Sequence, residues 1–556
     1  MAEKIYNKFI RFFCAILTGY LFLQGLFTLC NIQRVEEKTF FVSNNALVQI
    51  AGIVLFTLFA MVLLKERIWS LLAQYGHIIF GALTFLVFSF LIWWVTQTVF
   101  WYYGDAEWMY RCALELLEGN FSQWEPGGYC YMWPFQSSTV LLIAGILRFF
   151  SVGQSFYLFP MLCIVFYIIT ILSLYATLRM MFADKALVNL QGIMLILYVP
   201  YAFLTMCMYG DLIGYGWGAL AIFHAVKYVN CDKLRNLIYS GICLFLAICF
   251  KQNCAILFVG ILVLLIMKLL SSREKAKLLR GLLGLAVFLL IVLAGIRLPD
   301  VIIGQLSGLD MPKGNSKWAH LAMGAQESDK APGWYNNYNA EVFERNNYDT
   351  DKTAAESKAA LRESMLYFVE HPGYAWEFYN KKLASEWNNP TMECFHVQNF
   401  RNTAKELSSF VKSTINDGGK INILAIWYLD IAQSVLLFGI LMYFLHEQAA
   451  DYKQLLWGLL FMGAFAFWMF WEAKARYVAP YLLFLTPYSF MGYRILIQNW
   501  KEKRVYLSVF VLLALVAFLH LSNAGWVTSS FKISQDTESY YEYIHEYNNN
   551  FVNLRY

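Results

Sequence analysis

The chain carries one apolar run after another, most of them close to the length that crosses a bilayer, and this constrains its fold more than any motif does. A spanning helix needs about 20 mostly apolar residues. Inside lipid every backbone N–H and C=O must bond within the protein, and long unbroken runs satisfy that demand as helices. Of the 556 residues, 59% are hydrophobic and 15% charged, against about half and a quarter in soluble domains. A water-soluble globule is excluded, and the expected fold class is an all-α polytopic membrane protein.

The runs place spans near 9–30, 46–64, 78–100, 155–182, 187–205, 212–230, 236–250, 254–270, 281–298, 421–445, 454–470, 478–498 and 505–522, roughly thirteen in all. Lys4, Lys8 and Arg11 precede the first run, which has no small-residue cleavage site and reads as an uncleaved span. Positive charge sets orientation. With the N-terminus cytoplasmic, the inner loops hold Lys65/Arg67, Arg179/Lys185, Lys227/Lys233/Arg235, Arg273/Lys275/Lys277/Arg280 and Lys501/Lys503/Arg504. The outer short loops hold fewer: Arg34, Lys38, Arg111, Lys251, Lys474 and Arg476. The apolar stretch 136–150 is short, and counting it as a span would put Arg179 and Lys185 outside. It is read as a juxtamembrane or re-entrant helix.

This gives an N-terminal membrane module, 1–298, with an outer loop at 101–135. An extracytoplasmic segment, 299–420, follows, then membrane helices over 421–522 and an outer tail, 523–556. The middle segment is polar enough for a small α-rich domain, with a helix around 354–370 ending at His371-Pro372, because proline disfavours helix in the residue before it. No repeat, low-complexity run or heptad stands out. The eleven cysteines show no metal-ligand spacing. Most are small core residues, while Cys112, Cys130 and Cys394 fall in polar loops where a disulfide could form.

The residues suited to chemistry gather in the outer segments. Trp101-Tyr102-Tyr103-Gly104-Asp105-Ala106-Glu107 opens the first outer loop and runs into an amphipathic helix ending at Gly119. A carboxylate there could act as general base at the membrane surface. Asp105 equally suits a helix N-cap and Glu107 a first-turn dipole contact. Tyr209-Gly210-Asp211 begins a later span, and Lys251 interrupts the apolar run at Phe250-Lys251-Gln252. Late in the chain stands Glu472-Ala473-Lys474-Ala475-Arg476-Tyr477-Val478-Ala479-Pro480. Lone basic residues at span ends commonly snorkel to the interface. Glu472 could simply pair with Arg476 one turn on. Asp430, inside a predicted span, marks either a later span start or an acid facing a cavity.

A span followed by Asp-x-Glu, an amphipathic helix, then Tyr131-Met132-Trp133-Pro134 and an apolar helix resembles the GT-C glycosyltransferases. These include protein O-mannosyltransferases and lipid A aminoarabinose transferases. The motifs at 209–211, 250–252 and 472–480 fit the same pattern in order, as do Trp318 to Met323-Gly324 and Gly333-Trp334-Tyr335-Asn336-Asn337, which resemble a Gram-positive branch. Two features depart from it: two further spans, 9–30 and 46–64, come before the span that leads into the acidic loop where many relatives have only that one, and Met-Trp-Pro-Phe replaces the common Tyr-Pro-Pro-Leu.

The resemblance implies a sugar transferred from a polyprenyl-phosphate donor to an extracytoplasmic glycan, lipid or protein in a bacterial plasma membrane, with no nucleic-acid partner. It implies Asp105 as base and Glu107 as helper, with no required cofactor and a divalent cation as an option at these two acids. Lys251 and Arg476 would hold the donor phosphate. Asp211, Glu472 and Tyr131 would shape the site, and Trp318, His320, Trp334 and Tyr335 would bind the acceptor. Three alternatives stay open: a transporter or flippase using Asp430 and His224, a polysaccharide polymerase or ligase using pyrophosphate lipids, and a non-catalytic scaffold. The sequon Asn120-Phe121-Ser122 lies on the outer side.

Overall fold

The computed structural model describes residues 2–33, 36–272, 274–399, 406–447 and 450–551. Arg34 and Arg273, counted above for orientation, lie outside the described residues. Among the described residues nine helices are long and apolar enough to cross a membrane: Ala2–Phe27, Ala46–Leu63, Glu66–Thr98, Val152–Met181, Gln252–Ser271, Lys275–Ser307, Lys420–His446, Tyr452–Phe470 and Lys503–Leu521. The chain is a multi-pass, all-α membrane protein.

Each of the thirteen expected spans overlaps a helix, but fewer of the helices meet the length and hydropathy that lipid demands. Lys185–Leu197 and Val199–Met206 bend by 50° at a break, where Pro200 starts the second piece. The helix Leu234–Phe250 has 17 residues. Asp211–Cys231 and Ala475–Gln498 fall outside the nine, and most of their side chains are buried within the protein. A helix enclosed by other helices need not be uniformly apolar, so it can carry tyrosine, glycine and proline.

Burial separates an inner layer from a lipid-facing one. The apolar window of Val152–Met181 is 56% buried, whereas that of Lys503–Leu521 is 17% buried. On the latter, Phe510, Val511, Phe518 and Leu521 are exposed, an apolar surface that only lipid or a partner can cover. In the inner layer Lys420–His446 crosses Ala475–Gln498 at Gly439 and Gly492. A Cβ added to Gly492 would lie 1.8 Å from the Gly439 carbonyl oxygen, so the backbones touch as small residues permit.

Two boundaries differ from expectation. The first helix stops at Phe27, and Thr28–Ile32 pairs antiparallel with Thr39–Ser43 in a hairpin, Thr28 opposite Ser43. Its β-branched and aromatic residues suit a strand better than a helix end. The helical run from Lys275 continues, with a break near Ile296, to Ser307 rather than ending at 298. Ser137–Phe149 is a separate helix lying 98° from the segment before it, a bend that a broken span or a re-entrant loop makes. The helix expected around 354–370 spans Thr350–Glu370, and Pro372 starts the next, Pro372–Trp387.

The hairpin organises one end of the bundle. Cys30, Ile32 and Phe41 pack with Ala331 and Trp334 of the polar insert, Ala473 of the late loop and Ile533 of the tail. The tail is pinned where the Phe41 N–H donates to Asp536 Oδ2 at 3.1 Å and Ser43 N–H to Thr537 Oγ1 at 2.9 Å. Asp430 lies at this same end: it accepts hydrogen bonds from Asn44, at 3.1 Å, and Gln49, which flank the start of Ala46–Leu63.

Candidate functional site

Asp105 is the first residue of the helix Asp105–Leu117. Its Oδ1 accepts a hydrogen bond from the Tyr129 hydroxyl at 3.2 Å. Glu107 turns away and pairs with Arg111 at 2.5 Å on an exposed face. Among the described residues no three His, Cys, Asp or Glu side chains are grouped to hold a metal.

A second centre forms where three distant segments meet. The Lys251 ammonium is 2.7 Å from Asp211 Oδ1, with 8% and 14% of the two side chains exposed. It lies 4.8 Å from the Tyr209 ring centroid and 4.7 Å from that of Tyr477. The Arg476 guanidinium faces the same rings at 5.7 and 5.6 Å. Two cations thus share two aromatic faces, each contact supplying modest attraction. Gly210 makes this approach possible: a Cβ there would sit 2.0 Å from the Phe250 carbonyl oxygen. Gln136 donates to the Tyr209 hydroxyl, and Trp468 stacks on Tyr477 at 4.9 Å.

Arg476 makes no side-chain ion pair among the described residues, although the charges of Glu393 and Asp211 act on it. Its backbone N–H donates to Glu393 Oε1 at 3.2 Å, and Nη1 lies 3.8 Å from Cys207 Sγ. Its Nε is buried and finds no hydrogen-bond partner among the described residues, and neither does Asp211 Oδ2. Such groups are costly unless an anion or polar ligand completes them. Asp105 is electrostatically near this centre, since both Tyr209 and Glu472 feel its charge along with that of Arg476. Burial pushes the Glu472 carboxyl above its usual range, against the pull of Lys474 and Arg476.

A third group flanks these two. Glu37, from the hairpin turn, lies 2.7 Å from Lys330, 3.4 Å from Lys474 and 3.6 Å from His396. Lys474, the strongest influence, holds the Glu37 carboxyl far below the usual carboxylate range despite burial. Burial would lower Lys474, but Glu37 and Glu393 outweigh it and leave the ammonium above its ordinary value. Lys382 donates to the carbonyls of Gly324 at 2.6 Å and Trp471 at 2.7 Å, clipping the Glu472 turn to the insert.

The four aromatic candidates of the insert separate. Trp334 is 1% exposed and its indole donates to Ser385 Oγ at 2.8 Å, so it fills a core and offers no face to a ligand. His320 stacks on Trp471 at 5.0 Å and meets Trp133 edge-on at 5.5 Å. Trp318 is 40% exposed, with Lys358 over its ring. Tyr335 stays near the site, its hydroxyl pushed up to about 12 by burial and by Asp105 and Glu472. Tyr131 packs on Phe343 and Tyr348 of the insert.

The sequence marks Asp105, Asp211, Lys251, Glu472 and Arg476, which this end of the bundle brings together. It does not mark Tyr129, Tyr209 and Tyr477 as site residues, or Glu37, Glu393 and Lys474 as ionic partners. Tyr209 and Tyr477 adjoin the motif residues, so neighbouring aromatics are a usable signal. Glu37 carries none, being one acid in a short polar turn. No protein-family model and no curated protein matches the chain.

Proposed function

We propose that this chain is a GT-C-type membrane glycosyltransferase that moves a sugar from a polyprenyl-phosphate donor to an extracytoplasmic acceptor. The observation that carries the reading is the buried Arg476 guanidinium, whose Nε has no hydrogen-bond partner among the described residues, beside Lys251 and within electrostatic reach of Asp105. The thirteen helical segments cross the membrane, with the N-terminus cytoplasmic. The hairpin, the polar insert and the tail then face outward with the site, where the outer leaflet presents a lipid-linked donor.

Asp105, oriented by the Tyr129 hydroxyl, removes the proton from an acceptor hydroxyl as that oxygen attacks the anomeric carbon. The bond from that carbon to the phosphate oxygen breaks, and its electron pair leaves on the phosphate. Arg476 and Lys251 stabilise the departing charge. Attack opposite the leaving group inverts the anomeric centre.

The transporter alternative loses Asp430, which lies with Asn44 at one end of the bundle rather than at mid-depth. Purified protein given a panel of polyprenyl-phosphate sugars should release free polyprenyl phosphate from one of them. Movement of a solute or lipid across vesicles without turnover would replace this reading with transport.

A further inference from the structure

The helix Ala475–Gln498 carries Arg476 in its first turn and begins without a cap of its own. Lys474 stands at the N-cap position, and its side chain makes no capping hydrogen bond. The first N–H groups of a helix have no partner inside it and form a positive end. Glu393, from the loop beyond the helix Pro372–Trp387, supplies the missing acceptor from another part of the chain. Its Oε1 accepts from the Arg476 backbone N–H at 3.2 Å, and its Oε2 lies 3.9 Å from the Lys474 ammonium. The carboxylate thus holds the main chain of Arg476 and leaves the guanidinium facing the rings of Tyr209 and Tyr477.

The loop is bent to deliver this one acid. Met392 and Glu393 both have left-handed backbone, with φ of 48° and 59°, a region costly for a residue with a side chain. Met392 and Cys394, on either side of the acid, are buried in the main core, and Glu393 itself is 1% exposed. Asn389 ties the bend by accepting from the Thr391 N–H at 3.1 Å and the Thr391 hydroxyl at 2.7 Å. Glu37, the second carboxylate beside Lys474, is left-handed too, with φ of 54°. Strain of this kind persists only where the surroundings over-determine it, and it clusters at working sites. We propose that Glu393 is a positioning residue, whose carboxylate anchors the Arg476 backbone so that the guanidinium points at the donor phosphate. This rests on the assignment of Arg476 to that phosphate, and it makes reach, more than charge, the property that matters at 393.

The test is isothermal titration of the full chain in detergent with a short-chain polyprenyl monophosphate, in which stoichiometry reports the folded fraction and Kd the affinity. R476Q should weaken binding about 10- to 100-fold, the loss expected for a charge-assisted hydrogen bond. E393D keeps the charge but falls one methylene short of the Arg476 N–H, and should weaken binding about tenfold. E393Q keeps the length and an acceptor oxygen, and should bind more tightly than E393D although it lacks the charge. E393D/R476Q should bind no more weakly than R476Q, because both changes act through one guanidinium. A role confined to stability would lower the folded fraction of E393D and leave its Kd untouched. Where E393D does not fold, E393N replaces it, being equally short and tolerant of left-handed backbone, with the same expectation against E393Q. With R476Q weakened, a wild-type Kd in the short variant overturns the positioning role and leaves the phosphate assignment standing. E393Q binding more weakly than E393D overturns it as well, since charge would then outweigh reach. Wild-type affinity in R476Q overturns the phosphate assignment and the positioning role with it.

Discussion

The Lys251 ammonium sits 2.7 Å from Asp211 Oδ1 while its other sides face the rings of Tyr209 and Tyr477. One carboxylate pairs with one cation, while the neighbouring Arg476 lies between the same rings with its Nε unpartnered among the described residues.

Asp105→Asn should lower sugar transfer by about 10²–10⁴-fold, the usual worth of a general base, with protein level and membrane insertion unchanged. Tyr129→Phe should cost less, because it only loosens the orientation of Asp105. Initial rates in membranes check both, and full activity in the Asp105 variant would remove it from the mechanism.

Arg476→Gln should reduce kcat/KM for the lipid donor by about 10- to 100-fold, as expected for losing a charge-assisted hydrogen bond of about 1.5–3 kcal/mol. Inhibition by free polyprenyl phosphate should weaken in parallel. A variant whose product inhibition is unchanged would place the phosphate elsewhere.

Asp211→Asn should destabilise the protein by about 3–5 kcal/mol, because it leaves a buried ammonium without its counter-charge. Adding Lys251→Met should recover much of that loss, since an apolar side chain of similar length tolerates the same surroundings. Thermal unfolding in detergent of the two single variants and the double variant measures the coupling.

Acid should weaken the insert through His320. Burial lowers its pKa from 6.5 to about 4, so between those values the unfolded chain binds the proton and the folded chain does not. Stability therefore rises with pH across this window, and acidification through it costs about 3 kcal/mol. Below about 4 both states are protonated and the slope ends. His320→Phe, which keeps the stack on Trp471, should flatten the pH dependence of the insert's unfolding.

Much of the architecture is legible in the sequence because lipid imposes a one-dimensional rule. A run such as 505–522 must be a helix whatever its neighbours do, and Lys503–Leu521 is one. The rule weakens where protein replaces lipid. Asp211–Cys231 and Ala475–Gln498 are shielded, so hydropathy alone does not decide whether they span. The hairpin at 28–43 is hidden because its first strand continues an apolar run without a break. In the site, charged residues at span ends stand out against an apolar background, which makes Lys251 and Arg476 visible. Trp334 looks like a sugar-stacking residue in the sequence, and only its burial shows that it belongs to a core, because abundant aromatics look alike until burial sorts them.

By itself the sequence determined that the chain is helical and multi-pass, and which polar residues interrupt its apolar runs, since both follow from the cost of polar groups in lipid. Only the tertiary structure decided which of those residues meet. Asp211 reaches Lys251 because Gly210 lets one backbone press against the carbonyl of Phe250. Arg476 arrives from the far end of the chain without a carboxylate of its own. Pairing of that kind depends on backbone approach and burial in three dimensions, and spacing along a chain does not encode either.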